Sequence, residues 1–179
     1  MVTIIIRHAN DEQDNFLHKH DKEITKRGKK DAKRIGKKLI KKYGTPDIIY
    51  CSPFMRTRQT LKYMLKYMLK HDNIQPNVII DKRLSRYFTT KEKKNPSVFS
   101  QTKKKHIPIK ETHKMFKQRC DSFLRDIKKD TNNDDHYEYN NNKKKVSWII
   151  THVKVLKRIC EKSHVIIPNH VSFLEHRKI

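Results

Sequence analysis

What this 179-residue chain has little of narrows its class first. Three glycines and six prolines are too few for a loop-dominated or collagen-like chain. The three cysteines, Cys51, Cys120 and Cys160, are far apart, odd in number and form no C-x-x-C pair. That excludes a disulfide framework and a cysteine zinc site, and it fits a reducing, cytoplasmic setting. No apolar run approaches the ~18 residues of a membrane span. No charged leader with an apolar core opens the chain, so no secretory signal is expected. Acidic residues are scarce: 19 Asp and Glu stand against 43 Lys and Arg, a net charge of +24. Such a surface attracts phosphorylated substrates, nucleic acid or acidic membranes. Lysine is scattered throughout, however, and a compositional bias of the source would look the same. No recognition helix or aromatic platform accompanies the charge, so a nucleic-acid partner has no motif behind it.

What is present is an alternation of apolar runs and amphipathic stretches. Val2 to Ile6 reads as a buried central strand ending abruptly in Arg7-His8. Asn10 to Lys22 is a polar loop, and its His18 and His20 are solvated residues rather than metal ligands. Thr25 caps a helix to Tyr43 whose Ala32, Ile35, Leu39 and Ile40 form one stripe. Gly36 there permits close packing at a cost in helix propensity. Asp47 to Cys51 is a second strand, ending in Ser52-Pro53, and a helix follows from about Phe54 to His71. Val78 to Ile80 is a third strand. Residues 82–109 form a loop or cap over the pocket. Glu111 to Lys129 is a third helix, and 130–145, rich in Asn and Asp, is a low-complexity insertion. Val146 to Ile150 is a strand leading to Thr151-His152, and Val153 to Lys162 is helical. Val165 to Ile167 and Val171 to Leu174 are short extended pieces. The expected fold is a single α/β domain over residues 1–179. It is a three-layer sandwich with a mostly parallel central sheet flanked by helices, and three strand ends carry Arg7-His8, Ser52 with Arg56, and His152 along one edge.

These segments resemble the histidine phosphatase superfamily, with its phosphoglycerate mutase-like fold. The resemblance rests on IIIRHA, EITKRGKKDAKRIGKKL, DIIYCSPFMRTRQT, VIIDKRL and SWIITHVKVLKRIC, in the family's order. The T-x-x-G-x-x-x-A and S-P-x-x-R-x-x-Q-T patterns are the most specific. The resemblance implies a metal-independent phosphatase without a cofactor, acting on a phosphoprotein or a small phosphomonoester. His8 would be the nucleophile and form a phosphohistidine. Arg7 and Arg56 would grip the phosphoryl oxygens, and a protonated His152 would add charge. Ser52 either lends its hydroxyl to the substrate or caps the strand end. Thr-His-Val and Ser-Pro-Phe-x-Arg are similar to the branches acting on phosphohistidine or on phosphoserine and phosphothreonine in proteins. The family's general-acid glutamate is replaced by Arg86, an added substrate grip, which leaves the acid unknown, with Glu92 and Asp11 as candidates. Mutase activity is disfavoured. A catalytically weak or inactive phosphate-binding module on the same fold is the alternative.

Overall fold

A computed structural model describes residues 1–12, 22–66, 75–87, 111–134, 145–168 and 170–179. Its strands are β1 (Val2–Arg7), β2 (Ile48–Cys51), β3 (Asn77–Ile80), β4 (Val146–Thr151) and β5 (His176–Lys178). Its helices are α1 (Lys26–Tyr43), α2 (Met55–Leu65), α3 (His113–Asp134) and α4 (Val153–Lys162). The sheet order is β3-β2-β4-β1-β5. All neighbours run parallel except β5, which pairs antiparallel with β1. The expected three-layer α/β sandwich is therefore present. The centre of the sheet is β4, not β1, and all six β4 residues are buried. β1 lies next to it with Ile4, Ile5 and Ile6 fully buried, as a strand covered on both faces should be.

Alternation along β1 divides the core. Ile4 and Ile6 join Trp148, Ile150 and the apolar stripes of α1 and α2 on one face. Ile5 joins Tyr50, Ile149, Phe123 and the stripes of α3 and α4 on the other. α1 and α2 come together at Gly36. A Cβ there would overlap the backbone of Met64, so close helix packing is why glycine stands mid-helix.

Several boundaries differ from the sequence reading. α2 ends at Leu65 with Lys66 in a turn, short of His71, and residues 67–74 lie outside the described residues. α3 starts at His113 and runs to Asp134, into the stretch read as an insertion. An established helix extends at small cost through residues that would not nucleate one. Residues 135–144 lie outside the described residues, as do 88–109 of the expected cap; Lys82–Leu84 form a 3₁₀ turn. Of the two short pieces read as extended, Val171 to Leu174 ends in a turn at Phe173–Leu174, and neither joins the sheet; the edge strand is His176–Lys178. Leu174, in the left-handed region at φ 57°, redirects the chain just before it.

Candidate active site

The parallel order sets the carboxyl ends of β1, β2 and β4 side by side, and each delivers part of one cluster. Arg7 and His8 leave β1, Ser52 leaves β2 with Arg56 in the first turn of α2, and His152 follows β4. The His8 and His152 ring centroids are 5.2 Å apart, edge to face. His8, Ser52, Arg56 and His152 are all buried. The structure brings these side chains, distant in the sequence, into one buried cluster.

Tautomers can be read from the partners. His8 Nδ1 lies 2.8 Å from the carbonyl oxygen of Ala9, which can only accept. Nδ1 therefore carries the proton, and Nε2 keeps its lone pair. His152 Nδ1 lies 3.3 Å from Arg56 Nη2, and a guanidinium can only donate. His152 Nδ1 is thus the acceptor, and Nε2–H donates across 3.0 Å to Ser52 Oγ. Both rings are neutral. Burial, then Arg56, pushes His8 down to about 3, with Arg7 and Arg86 adding to the effect. Burial and Arg56 also hold His152 well below its ordinary range, aided by His8, Arg86 and Arg119. In this resting geometry burial and then the nearby cations disfavour a positive charge on His152.

The two specific sequence patterns are explained by what holds the pocket. In the first, Thr25 Oγ1 accepts from Gly28 N at 2.9 Å, and Thr25 N donates to the Asn10 carbonyl at 2.9 Å. A Cβ on Gly28 would stand 2.5 Å from that same carbonyl oxygen, so only glycine lets α1 abut the loop after His8. In the second, Thr60 Oγ1 accepts from Ala9 N at 2.9 Å while donating to the Arg56 carbonyl at 2.7 Å. Gln59 Oε1 accepts from Ile24 N at 2.9 Å. The helix that carries Arg56 thereby also fixes the backbone beside His8.

The acid candidates divide. Asp11 Oδ2 is 3.7 Å from Arg56 Nε, so its carboxylate is paired with a site arginine. Glu92 lies outside the described residues. Arg86 lies within electrostatic reach of both histidines. Its loop is held by Arg119 Nη2, which donates to the Arg86 carbonyl at 3.0 Å, and by Thr151 Oγ1, which donates to the Leu84 carbonyl at 2.8 Å. Among the described residues, no group of three His, Cys, Asp or Glu side chains could hold a metal ion.

Sequence reasoning missed three contributors. Arg119, on α3, is one, and it pairs with the buried carboxylate of Glu111. Phe54 sets its ring edge-on to His152 at 4.9 Å. Phe173 lies 4.0 Å from the Arg7 guanidinium and 5.7 Å from the His8 ring. Arg7 Nη1 also donates to the Val171 carbonyl, and Leu174 N donates to the His8 carbonyl at 3.3 Å. Phe54 stood inside a quoted pattern; nothing in the sequence distinguishes Arg119 or Phe173 from other helix or loop residues.

Residues 3–169 match the family model of the histidine phosphatase superfamily, branch 1. The chain belongs to that superfamily. No curated protein matches it closely enough in sequence to count. Among solved structures it is similar to the protein histidine phosphatase SixA with tungstate, at 14% identity and TM-score 0.56, over 89% of this chain and 74% of that one. It is similar to phosphoglycerate mutase from Plasmodium falciparum at 18% identity and TM-score 0.50, over 93% and 70%. It is also similar to the mycobacterial glucosyl-3-phosphoglycerate phosphatase with VO3, at 11% identity and TM-score 0.64, over 99% and 90%. At these identities the likeness establishes the shared fold. The superfamily's phosphatases and mutases bound the activity class. No described helix is long and apolar enough to cross a membrane.

Proposed function

We propose that this chain is a phosphatase that transfers the phosphoryl group to His8 Nε2 and then to water. The observation that carries the proposal is the Nδ1–H bond to the Ala9 carbonyl, which leaves Nε2 as a lone pair in a pocket walled by arginine. A neutral imidazole is a competent nucleophile, and the pocket's cations keep it neutral well below pH 7. Arg7 and Arg56 receive the nonbridging oxygens. The arriving dianion favours the protonated form of His152 more than the empty pocket does, and the proton gained at Nδ1 can then be donated to the same group while Nε2–H stays on Ser52. In the second half, water attacks phosphorus, His8 leaves with its lone pair restored, and inorganic phosphate is released.

Among the described residues no free carboxylate at the cluster supports a role as acid, since Asp11 is paired with Arg56. Substrates should therefore be those whose leaving group needs little protonation, aryl phosphates and phosphoramidates, with simple alkyl esters slower by roughly 10²–10⁴-fold. Arg86 near the pocket supports a substrate with additional negative charge, a phosphoprotein before a small neutral ester. The same arginine favours a second reading, a phosphate-binding module without turnover. para-Nitrophenyl phosphate separates the two. Hydrolysis abolished by His8→Ala, with label trapped on His8 after acid-free quenching, supports the phosphatase. Turnover no higher than that variant's leaves the binder.

A further inference from the structure

The chain's positive charge is not evenly spread. α1 carries ten Lys and Arg among its 18 residues and a single acid, Asp31. α3, with 22 residues, carries six cations and four acids. α1 alone thus supplies a net +9 of the chain's +24. Every fully exposed residue of α1 is Lys or Arg. Among the described helices α1 has the largest excess; α2 carries three cations and no acid, and α4 four cations and one acid.

This arrangement works against the helix itself. Lys33, Lys37 and Lys41 repeat at four-residue steps, where like charges repel. Lys26 and Arg27 sit in the first turn, with no acidic residue beside them there, against the helix dipole. Asp31 offsets only Arg27 and Arg34, at 3.7 and 3.3 Å. The ridge is also placed by the site. Thr25, the N-cap, bonds the Asn10 carbonyl two residues beyond His8, so α1 begins at the pocket rim. It then runs away for about 27 Å, the length of some eight residues of extended peptide.

We propose that the outer face of α1 is a docking ridge for an acidic segment of a polypeptide substrate whose phosphorylated side chain enters the His8 pocket. The inference rests on the phosphatase reading above and names its substrate class. An acidic polypeptide fits better than nucleic acid, because no exposed aromatic on α1 offers a base a stacking surface. Lysine ammonium groups on mobile stems suit carboxylates presented in loose register, as an unstructured acidic segment would present them.

The test uses two phosphotyrosine peptides, whose aryl leaving group asks little of an acid. One has glutamates at the six to eight positions flanking the phosphate, the other neutral residues. para-Nitrophenyl phosphate is the third substrate, and the full-length K33E/K37E/K41E variant is compared with the unaltered chain. Glutamate is a strong helix former, so the variant should keep its fold. The expected result is that kcat/KM for the acidic peptide falls at least about tenfold in the variant and with added salt. The neutral peptide and para-nitrophenyl phosphate should change less than about twofold. Equal kcat/KM for acidic and neutral peptides in the unaltered chain overturns the ridge, as does no loss in the variant. If no substrate is turned over, the phosphatase reading fails by itself. The ridge is then decided by fluorescence anisotropy of the acidic peptide: binding lost in the variant sustains it, binding unaffected by the three changes overturns it. A variant that loses only a single-stranded RNA oligonucleotide also overturns it and assigns the face to nucleic acid.

Discussion

On one side of the sheet, α3, α4 and the turn after β3 carry arginines that are spent on carboxylates and carbonyls. Arg83 pairs with Asp81 at 2.7 Å and with Asp126, Arg158 with Asp121 at 2.6 Å, and Arg119 with Glu111. On the other side, α1 holds its cations against one acid. The difference is one of side-chain chemistry as much as number. The planar guanidinium takes two acceptors in fixed geometry and so can rivet a loop to a helix, as Arg119 does with the Arg83 and Arg86 carbonyls. The lysines of α1 make looser contacts, such as Lys29 with Glu23 at 3.9 Å, and an ammonium on a flexible stem fixes geometry less than a guanidinium fork does.

The largest effect that would break this comparison lies on the riveted side. Arg119→Met should leave Glu111, only 4% exposed, as a buried charge without its guanidinium. Losing one partner of such a pair costs about 3–5 kcal/mol. Urea unfolding should show it, while Lys33→Met on the exposed face of α1 should change stability by less than about 0.5 kcal/mol. Equal effects would mean that both layers use their cations alike.

Acid should act on the seam between the layers, where the two neutral histidines sit. Both are held below the free-histidine value of about 6.5, so the unfolded chain takes up protons that the folded chain refuses. Their effect on stability is flat above that pH and grows more unfavourable as pH falls, toward about 3 for His8. Between pH 6.5 and 5.5 the two together should cost about 2 kcal/mol, seen as a falling urea midpoint, and His8→Asn should remove about half of the slope. A midpoint flat over that range would show the rings to be protonated in the fold.

Gly36→Ala tests how closely the first layer is packed. The added methyl would meet the Met64 backbone, which cannot rotate away. Overpacking of this kind costs about 1–3 kcal/mol. A neutral result would mean that α1 and α2 slide apart freely, and that the loop beside His8, tied to α2 through Thr60, is less rigid than its hydrogen bonds imply.

What the sequence revealed follows the same division. Strands with apolar runs, the Thr25 cap and Gly36 were legible because their causes are local. The meeting of Arg7-His8, Ser52 and His152 was legible because parallel topology turns three strand ends into neighbours. The neutrality of His152 was not, because it depends on burial and on Arg56, 96 residues away. Nor was β5: His176-Arg177-Lys178 has no strand-like pattern and is recruited by the open edge of β1. Arg119 and Phe173 reach the site only through tertiary contacts, which no spacing records.

Arg7 belongs to neither layer, and the smallest predicted effect concerns how it is held. Its guanidinium is stacked on Phe173 and tied to the Val171 carbonyl, so the C-terminal segment aims it. Phe173 is 37% exposed, and its removal should therefore unsettle the pocket more than the fold. Phe173→Leu keeps an apolar side chain but removes the ring face that attracts a cation. Tungstate binding by calorimetry should weaken about two- to fivefold, with thermal stability nearly unchanged, and Phe173→Tyr should restore it. If leucine binds tungstate as tightly as phenylalanine does, the ring merely fills space and Arg7 is held by its carbonyl bond alone. If leucine and tyrosine both weaken binding equally, shape rather than the ring's charge distribution sets the arginine.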